Sequence, residues 1–503
     1  MEVILAGYNL DCELISRLGP AAKVPESTAA GEPPTTDALT PETLSAAYAR
    51  ISRDPRPIPE LRRDARRDVA RARQSNRRII FDFGHASVAE HAVFNFDILG
   101  LSRLAVEAFE AARLGSYTEK SQRYILLGRD VLLPTEIAGT AHEATFLALM
   151  KEQQEAYHSA YDSLARHYAE TRPEAWAEPH GRRDLEGAAK EDARYFLALA
   201  TTGQLGATLN ARMVEASIRR LAADPLAEAR ELAERLHRAV ESVAPSLVRH
   251  ADPTPYRAQT PAALAELRDA LCPDGATPGA KVPAGVPGNV HLIAVTPAAE
   301  KHLLTGLLHG CGGISWEGAA ARAAGLDAHG RRALITESLR RLSAHEAPMR
   351  VFELVELTYE LIVSASCFAQ LKRHRMATLL PQPYEPDLGV TLPPVFDSLG
   401  LTKPFTEMRS HAEAIYADIR RVHPHAAPYA LTNAHRRRVI FKTNLRELYH
   451  IARLRLDQHA QWDVRAMAEA MVAQARARLP LATLLAAGKD AFDETRGRVL
   501  GNP

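Results

Sequence analysis

The chain has 503 residues, 46% hydrophobic and 24% charged, an ordinary globular composition long enough for two or more separate cores. With 62 Lys and Arg against 61 Asp and Glu the formal net charge is +1, so no global field favours nucleic acid or an acidic membrane and any anion site must be local. The 4 cysteines form no CxxC pair, which argues against a zinc knuckle or disulfide framework and fits a reducing cytoplasm. No run of about 18 apolar residues reads as a membrane span.

In chain order, "MEVILAGYNLDCEL" reads as a strand followed by acidic residues rather than as a secretion signal. "KVPESTAAGEPPTTDALTP" is Pro-rich punctuation, an insertion at about residues 20–45. The basic run "ELRRDARRDVARARQSNRR" reads as a solvated helix face interleaved with Asp64 and Asp68, with nucleic-acid contact as the alternative. "HAVFNFDILGLSRLAVEAFEAARLGSYT" alternates at Phe94, Phe96 and Ile98, then turns helical near Ser102. Leu232, Leu236, Val240 and Val243 make an apolar helix stripe.

A second Pro- and Gly-rich stretch, Cys272 to Asn289, divides the chain nearly in half. After it the pattern returns: a strand and helix in "NVHLIAVTPAAEKHLLTGLL", alternation at Val355, Leu357, Tyr359 and Leu361, a helix after Ser364, and a stripe at Val464, Met467 and Met471. Ser102 pairs with Ser364, and Arg113 with Arg375, each 262 residues apart. The chain therefore contains a duplicated strand-to-helix unit. The expected organisation is a first domain at 1–255, a linker at 256–288 and a second domain at 289–503, each a β-sheet packed with helices, in the mixed α+β (α/β) class. Cys367 falls on the apolar side of its helix and is expected in the core.

The segments "GHASVAEHAVFNF", "SYTEKSQRY", "QLKRHR" and "TNLRELYHIARLRLDQHAQWDVR" together resemble the signature of the flavin-dependent thymidylate synthases, homotetramers whose active sites are shared between subunits. The resemblance covers both halves apart from the Pro-rich stretches, and neither half carries the whole signature. In the first half the leading Arg and His of the family's RHR are replaced by Ala111 and Ala112, leaving Arg113, yet Glu119, Ser121, Arg123 and Tyr124 keep the expected spacing; Thr118 replaces the usual Asn. In the second half Gln370, Arg373, His374 and Arg375 are present, but Pro383 and Glu385 stand where the family has Ser and Arg. A carboxylate in place of that Arg reverses the Coulomb attraction for a phosphate.

The resemblance implies substrate-binding roles for Glu119, Ser121, Arg123, Arg194, Gln370 and Arg455. It implies flavin contacts at His85, Ser87, Glu90, Arg373, His374, Arg375, Asn444 and Arg446. Arg194 lies sixteen residues before Asn210, and the matching second-half position is Pro428; Arg220 is roughly in register with Arg455. The losses are complementary, so one intact kind of site is expected, combining first-half Glu119, Ser121, Arg123 and Arg194 with second-half Gln370, Arg373, His374, Arg375 and Arg455. A homodimer imitating the family tetramer follows.

The residue types suit the chemistry. Guanidinium forks and a hydroxyl hold a nucleotide phosphate, and permanently charged donors suit a flavin pyrophosphate. Arg455 and Gln370 are the catalytic candidates, Arg455 stabilising negative charge on the uracil ring. Ser121 has no neighbouring base and is a binding residue. "GHASVAEH" lacks the HExxH and HxxEH spacings, so no metal is expected. The implied activity is reductive methylation of dUMP to dTMP with FAD as cofactor and NADPH and methylene-tetrahydrofolate as co-substrates, in the cytoplasm, without nucleic acid or membrane. The alternatives are flavin-dependent methylation of another pyrimidine nucleotide and a non-catalytic flavin- or nucleotide-binding protein.

Overall fold

The computed structural model describes residues 1–18, 39–249, 252–271 and 289–501. Most of the Pro-rich insertion, and residues 272–288 of the expected linker, lie outside them; Pro255–Leu271 forms a helix. The structure is mixed helix and strand, with two four-stranded sheets. The first contains β1 (Glu2–Tyr8), β2 (Val93–Ser102), β3 (Ser116–Glu119) and β4 (Thr202–Asn210), in the order β1-β2-β4-β3. The second contains β5 (Asn289–Val295), β6 (Glu356–Ser364), β7 (Thr378–Tyr384) and β8 (Arg436–Asn444), in the order β5-β6-β8-β7. All pairings are antiparallel. The likeness of the two sheets extends to irregularities: β1 shifts register between Leu5 and Gly7, and β5 between Leu292 and Ala294.

Alternation places one face of each sheet in a core. In the first, Phe94, Phe96 and Ile98 of β2 and Leu205, Ala207 and Leu209 of β4 pack with Phe109, Ile218, Leu232, Leu236 and Val240 from three helices. In the second, Leu357, Tyr359 and Leu361 of β6 and Val439 and Phe441 of β8 pack with Cys367, Leu448, Val464, Met467 and Met471. Burying each large side chain contributes about 1.5–3 kcal/mol. The opposite faces carry polar groups: Asn95 bonds Thr208 at 2.8 Å across β2 and β4, and Glu360 pairs with Arg438 at 3.0 Å across β6 and β8.

Across the expected domains at 1–255 and 289–503 the compact units trade one segment each. The first unit comprises the described residues of 1–150, 199–278 and 417–429; the second comprises those of 151–198, 279–416 and 430–503. Among the described residues, no helix is long and apolar enough to cross a membrane.

Candidate functional site

Each unit is organised around a buried carboxylate. Ser102 ends β2 and caps the helix Arg103–Glu110, its hydroxyl accepting from the Ala105 amide at 3.2 Å; Ser364 ends β6 and caps Ala365–Leu371, accepting from the Cys367 amide at 2.9 Å. Both hydroxyls then donate to a carboxylate in the first turn of another helix, Glu228 of Ala227–Glu241 and Asp463 of Trp462–Arg478. A phenol supplies a further donor: Tyr429 to Glu228 Oε2 at 2.7 Å, and Tyr195 to Asp463 Oδ2 at 2.9 Å. Burial pushes both carboxyls up from the usual range and both phenols well up, so the tyrosines stay protonated donors.

Those phenols reveal the exchange. Tyr195 comes from the first repeat and sits in the second unit; Tyr429 comes from the second repeat and sits in the first. Each is preceded by the residue the sequence comparison singled out. Arg194, 4% exposed, enters the second unit, while its counterpart Pro428 enters the first. A backbone anchor fixes the arriving arginine: Asn433 Nδ2 donates to the Arg194 carbonyl at 3.0 Å. Trp462 stacks on Tyr195 with centroids 5.5 Å apart and donates its indole N–H to Asp192 Oδ1 at 2.8 Å. Burial pushes the Asp192 carboxyl up to about 7.

From Tyr195 the second unit extends a polar chain that the first unit lacks. Gln461 Nε2 donates to the Tyr195 oxygen at 3.0 Å, and Gln370 Nε2 donates to Gln461 Oε1 at 3.3 Å. The counterparts in the first unit, Leu226 and Ala108, have no amide to offer. Gln370 is 6% exposed, and its Oε1 has no hydrogen-bond partner among the described residues. Such an orphaned acceptor is destabilising unless a ligand donates to it.

Arg455 ends its helix, Leu445–Arg455, by donating from Nη2 to the Gln370 carbonyl at 3.1 Å and from Nε to His374 Nε2 at 3.0 Å. Arg220 makes the equivalent backbone contact, donating to the carbonyls of Ala108 and Phe109 at 3.0 Å. An arginine N–H can only donate, so His374 Nε2 is an acceptor and its Nδ1 carries the proton, donated to Glu447 Oε1 at 3.1 Å. Burial lowers the His374 pKa, which keeps this neutral tautomer. His374, Glu447 and His450 bring three ligand atoms within 4.8 Å of one another, but the guanidinium occupies the Nε2 lone pair and opposes a cation there. Hydrogen bonds to Glu447 and Arg455 orient the His374 ring.

Of the expected residues, the second unit thus gathers Arg194, Gln370, His374 and Arg455. Arg373 and Arg375 are exposed on either side of buried His374. Asn444 Oδ1 caps the Leu445–Arg455 helix at the Glu447 amide, 2.8 Å away, and Arg446 Nε donates to the Pro348 carbonyl at 2.7 Å. The first unit holds the others. Glu119 pairs with Arg103 at 2.6 Å. Glu119 and Ser121 line a cavity of about 510 Å³ with Asp97, Lys120 and Gln204. Ser121 Oγ accepts from the Arg123 amide at 3.1 Å, and the Arg123 guanidinium lies 5.6 Å from the Tyr124 ring centre. His85 and Ser87 are exposed, and Glu90 pairs with Arg212 at 2.5 Å. Sequence reasoning missed Tyr195, Gln461 and Asp463, although the last two lie in the quoted "AQWDVR" stretch and Tyr195 adjoins Arg194.

Residues 36–246 and 311–481 match the family model described as thymidylate synthase complementing protein. A flavin-dependent thymidylate synthase of Clostridium tetani is 28% identical over 217 residues, spanning 42% of this chain and 83% of that protein. UPF0159 protein Ta1429 of Thermoplasma acidophilum is 25% identical over 460 residues, 84% of this chain and 90% of its own. Among solved structures, the UMP/dUMP methylase PolB from Streptomyces cacaoi bound with 5-Br dUMP matches 42% of this chain and 97% of its own, with a TM-score of 0.35 and 15% identity.

Proposed function

Because the chain belongs to the thymidylate synthase complementing protein family, we propose that it methylates dUMP to dTMP in the cytoplasm, using FAD, with methylene-tetrahydrofolate as carbon donor and NADPH as reductant. The observation that carries the reading is the delivery of Arg194 and Tyr195 into the unit that retains Gln370, His374 and Arg455. The first unit, receiving Pro428 instead, has neither the guanidinium nor the amide chain.

The residues fit the ligands. Gln370 Oε1, a buried acceptor lacking a donor, suits the imide N–H common to uracil and to a flavin ring. Arg373 and Arg375 suit the flavin pyrophosphate, with Asn444, Arg446, His85, Ser87 and Glu90 as further contacts. When bound, the reduced flavin supplies the hydride. The chain's own residues bind and polarise: Arg194, Arg123 and the Ser121 hydroxyl grip the nucleotide phosphate, Glu119 and Gln370 orient it, and Arg455 stabilises negative charge developing on the ring. Arg455 is held for that role by His374 Nε2 and the Gln370 carbonyl. The assembly in this reading is a homodimer, readable by analytical ultracentrifugation.

The test is spectroscopic and then catalytic. Purified protein should carry flavin whose absorbance dUMP perturbs, and should form dTMP when given NADPH and methylene-tetrahydrofolate. Arg373→Ala should lose flavin, whereas Arg123→Ala should lose nucleotide affinity and keep flavin. Bound flavin indifferent to dUMP, or protein that cannot be reconstituted with flavin, overturns the reading.

A further inference from the structure

We propose that the first unit carries a second anion site, an arginine-lined groove of about 760 Å³ that binds a nucleotide bearing two or more phosphates. The basic run expected to be a solvated face supplies most of it. Six arginines, Arg50, Arg53, Arg56, Arg67, Arg71 and Arg78, line the groove against three aspartates. They come from the end of the helix Glu42–Arg50, the loop after it, and the helices Ile58–Arg67 and Val69–Arg77 with the turn that follows.

The two sides of these helices differ in charge balance. On the packed side Arg62 and Arg66 are paired with Asp11 and Glu13, and Arg73 with Glu42. On the groove side three aspartates face six arginines. Arg56 takes both Asp54 and Asp64, and Asp68 caps the Arg71 amide at 2.9 Å. Arg50, Arg53, Arg67, Arg71 and Arg78 therefore have no carboxylate within 4.0 Å among the described residues. The like charges left in excess along the groove repel, and an anion spanning them relieves that repulsion with charge-assisted forks.

Three observations set the ligand class. The concavity is of small-molecule size, the charge excess calls for several negative charges, and the groove ends on Phe83, an exposed ring (47%) with the Arg78 guanidinium 5.2 Å from its centre. A ring platform beside a cation stacks a nucleobase. With a formal net charge of +1, the chain has no overall field drawing in a nucleic-acid backbone.

The proposal is independent of the flavin chemistry and is tested by direct calorimetric titration of the full-length protein. The probes are dTTP, NADPH, tripolyphosphate and a single-stranded oligonucleotide. Because NADPH also has a place as reductant in the function proposed above, its binding supports the groove only where the groove variants below abolish it; we expect saturable binding of dTTP. Arg67→Gln and Arg71→Gln should each weaken it about tenfold or more, whereas Arg63→Gln, on a residue that does not line the groove, leaves it unchanged. Phe83→Ala should weaken the nucleotides and spare tripolyphosphate. Absence of saturable binding, preference for the oligonucleotide, or an equal loss in Arg63→Gln overturns the proposal. These are surface substitutions, and unchanged thermal unfolding confirms that each variant is folded.

Discussion

Replacing Tyr195 by Phe removes one oxygen and leaves the packing volume nearly intact, so its effect isolates the hydrogen bonds of the exchanged segment. Two partners are stranded: Asp463 Oδ2 loses a donor at 2.9 Å and Gln461 Nε2 loses an acceptor at 3.0 Å. Both residues are buried, at 1% and 2% exposure. A bond to a carboxylate contributes about 1.5–3 kcal/mol and a stranded buried amide costs about 1–3 kcal/mol, giving a loss of about 3–5 kcal/mol. Tyr429→Phe strands Glu228 but no amide, because Leu226 stands where Gln461 does, and should cost about 1.5–3 kcal/mol. Urea unfolding separates the two. All three tryptophans, Trp176, Trp316 and Trp462, belong to the second unit, so their emission reports the Tyr195 variant while far-UV circular dichroism follows both. A Tyr195→Phe midpoint indistinguishable from wild type, or a larger loss in Tyr429→Phe, would refute the assignment of this phenol as the link between Asp463 and Gln461.

Burial raises the Asp192 pKa to about 7. The folded state therefore binds the proton more tightly than the unfolded chain, and this group's stabilising contribution is present at low pH and lost as pH rises through about 4 to 7, by up to about 4 kcal/mol. Asp192→Asn should gain stability relative to wild type across that window, measured as a pH series of urea midpoints. Glu385→Ala should leave nucleotide affinity within about twofold of wild type, because the proposed reading gives the phosphate to the first-repeat segment and a carboxylate at 385 repels it; a loss matching Arg123→Ala would reverse that assignment. Arg455→Lys cannot reach both His374 Nε2 and the Gln370 carbonyl and should lower dTMP formation about tenfold or more. Arg220→Lys, its first-repeat counterpart, should leave the rate nearly unchanged.

Local periodicity made much of the architecture readable. Phe94, Phe96 and Ile98 alternate as a half-buried strand must, Ser102 and Ser364 cap the helices that follow, and the spacing between those serines marks the two like-ordered sheets. The exchange of segments was not readable. Whether Tyr195 packs against its own repeat or the other depends on long-range complementarity, and a buried tyrosine looks like core in sequence. Its true partner, Asp463, is a single acid inside an otherwise apolar stripe, and nothing local marks it as the acceptor of two hydroxyls. Asn444 illustrates the reverse difficulty: the residue matches a family ligand, yet its carbonyl oxygen is occupied in capping a helix, which leaves only its amide hydrogens for any cofactor.

The traded segments also bear on what either repeat can do alone. Each unit roots a tyrosine from the other repeat in its own carboxylate socket, so a single repeat expressed by itself would fill its socket and place its own phenol only by lending the segment to a second copy of itself. Separating the repeats should therefore turn an internal exchange into a concentration-dependent association.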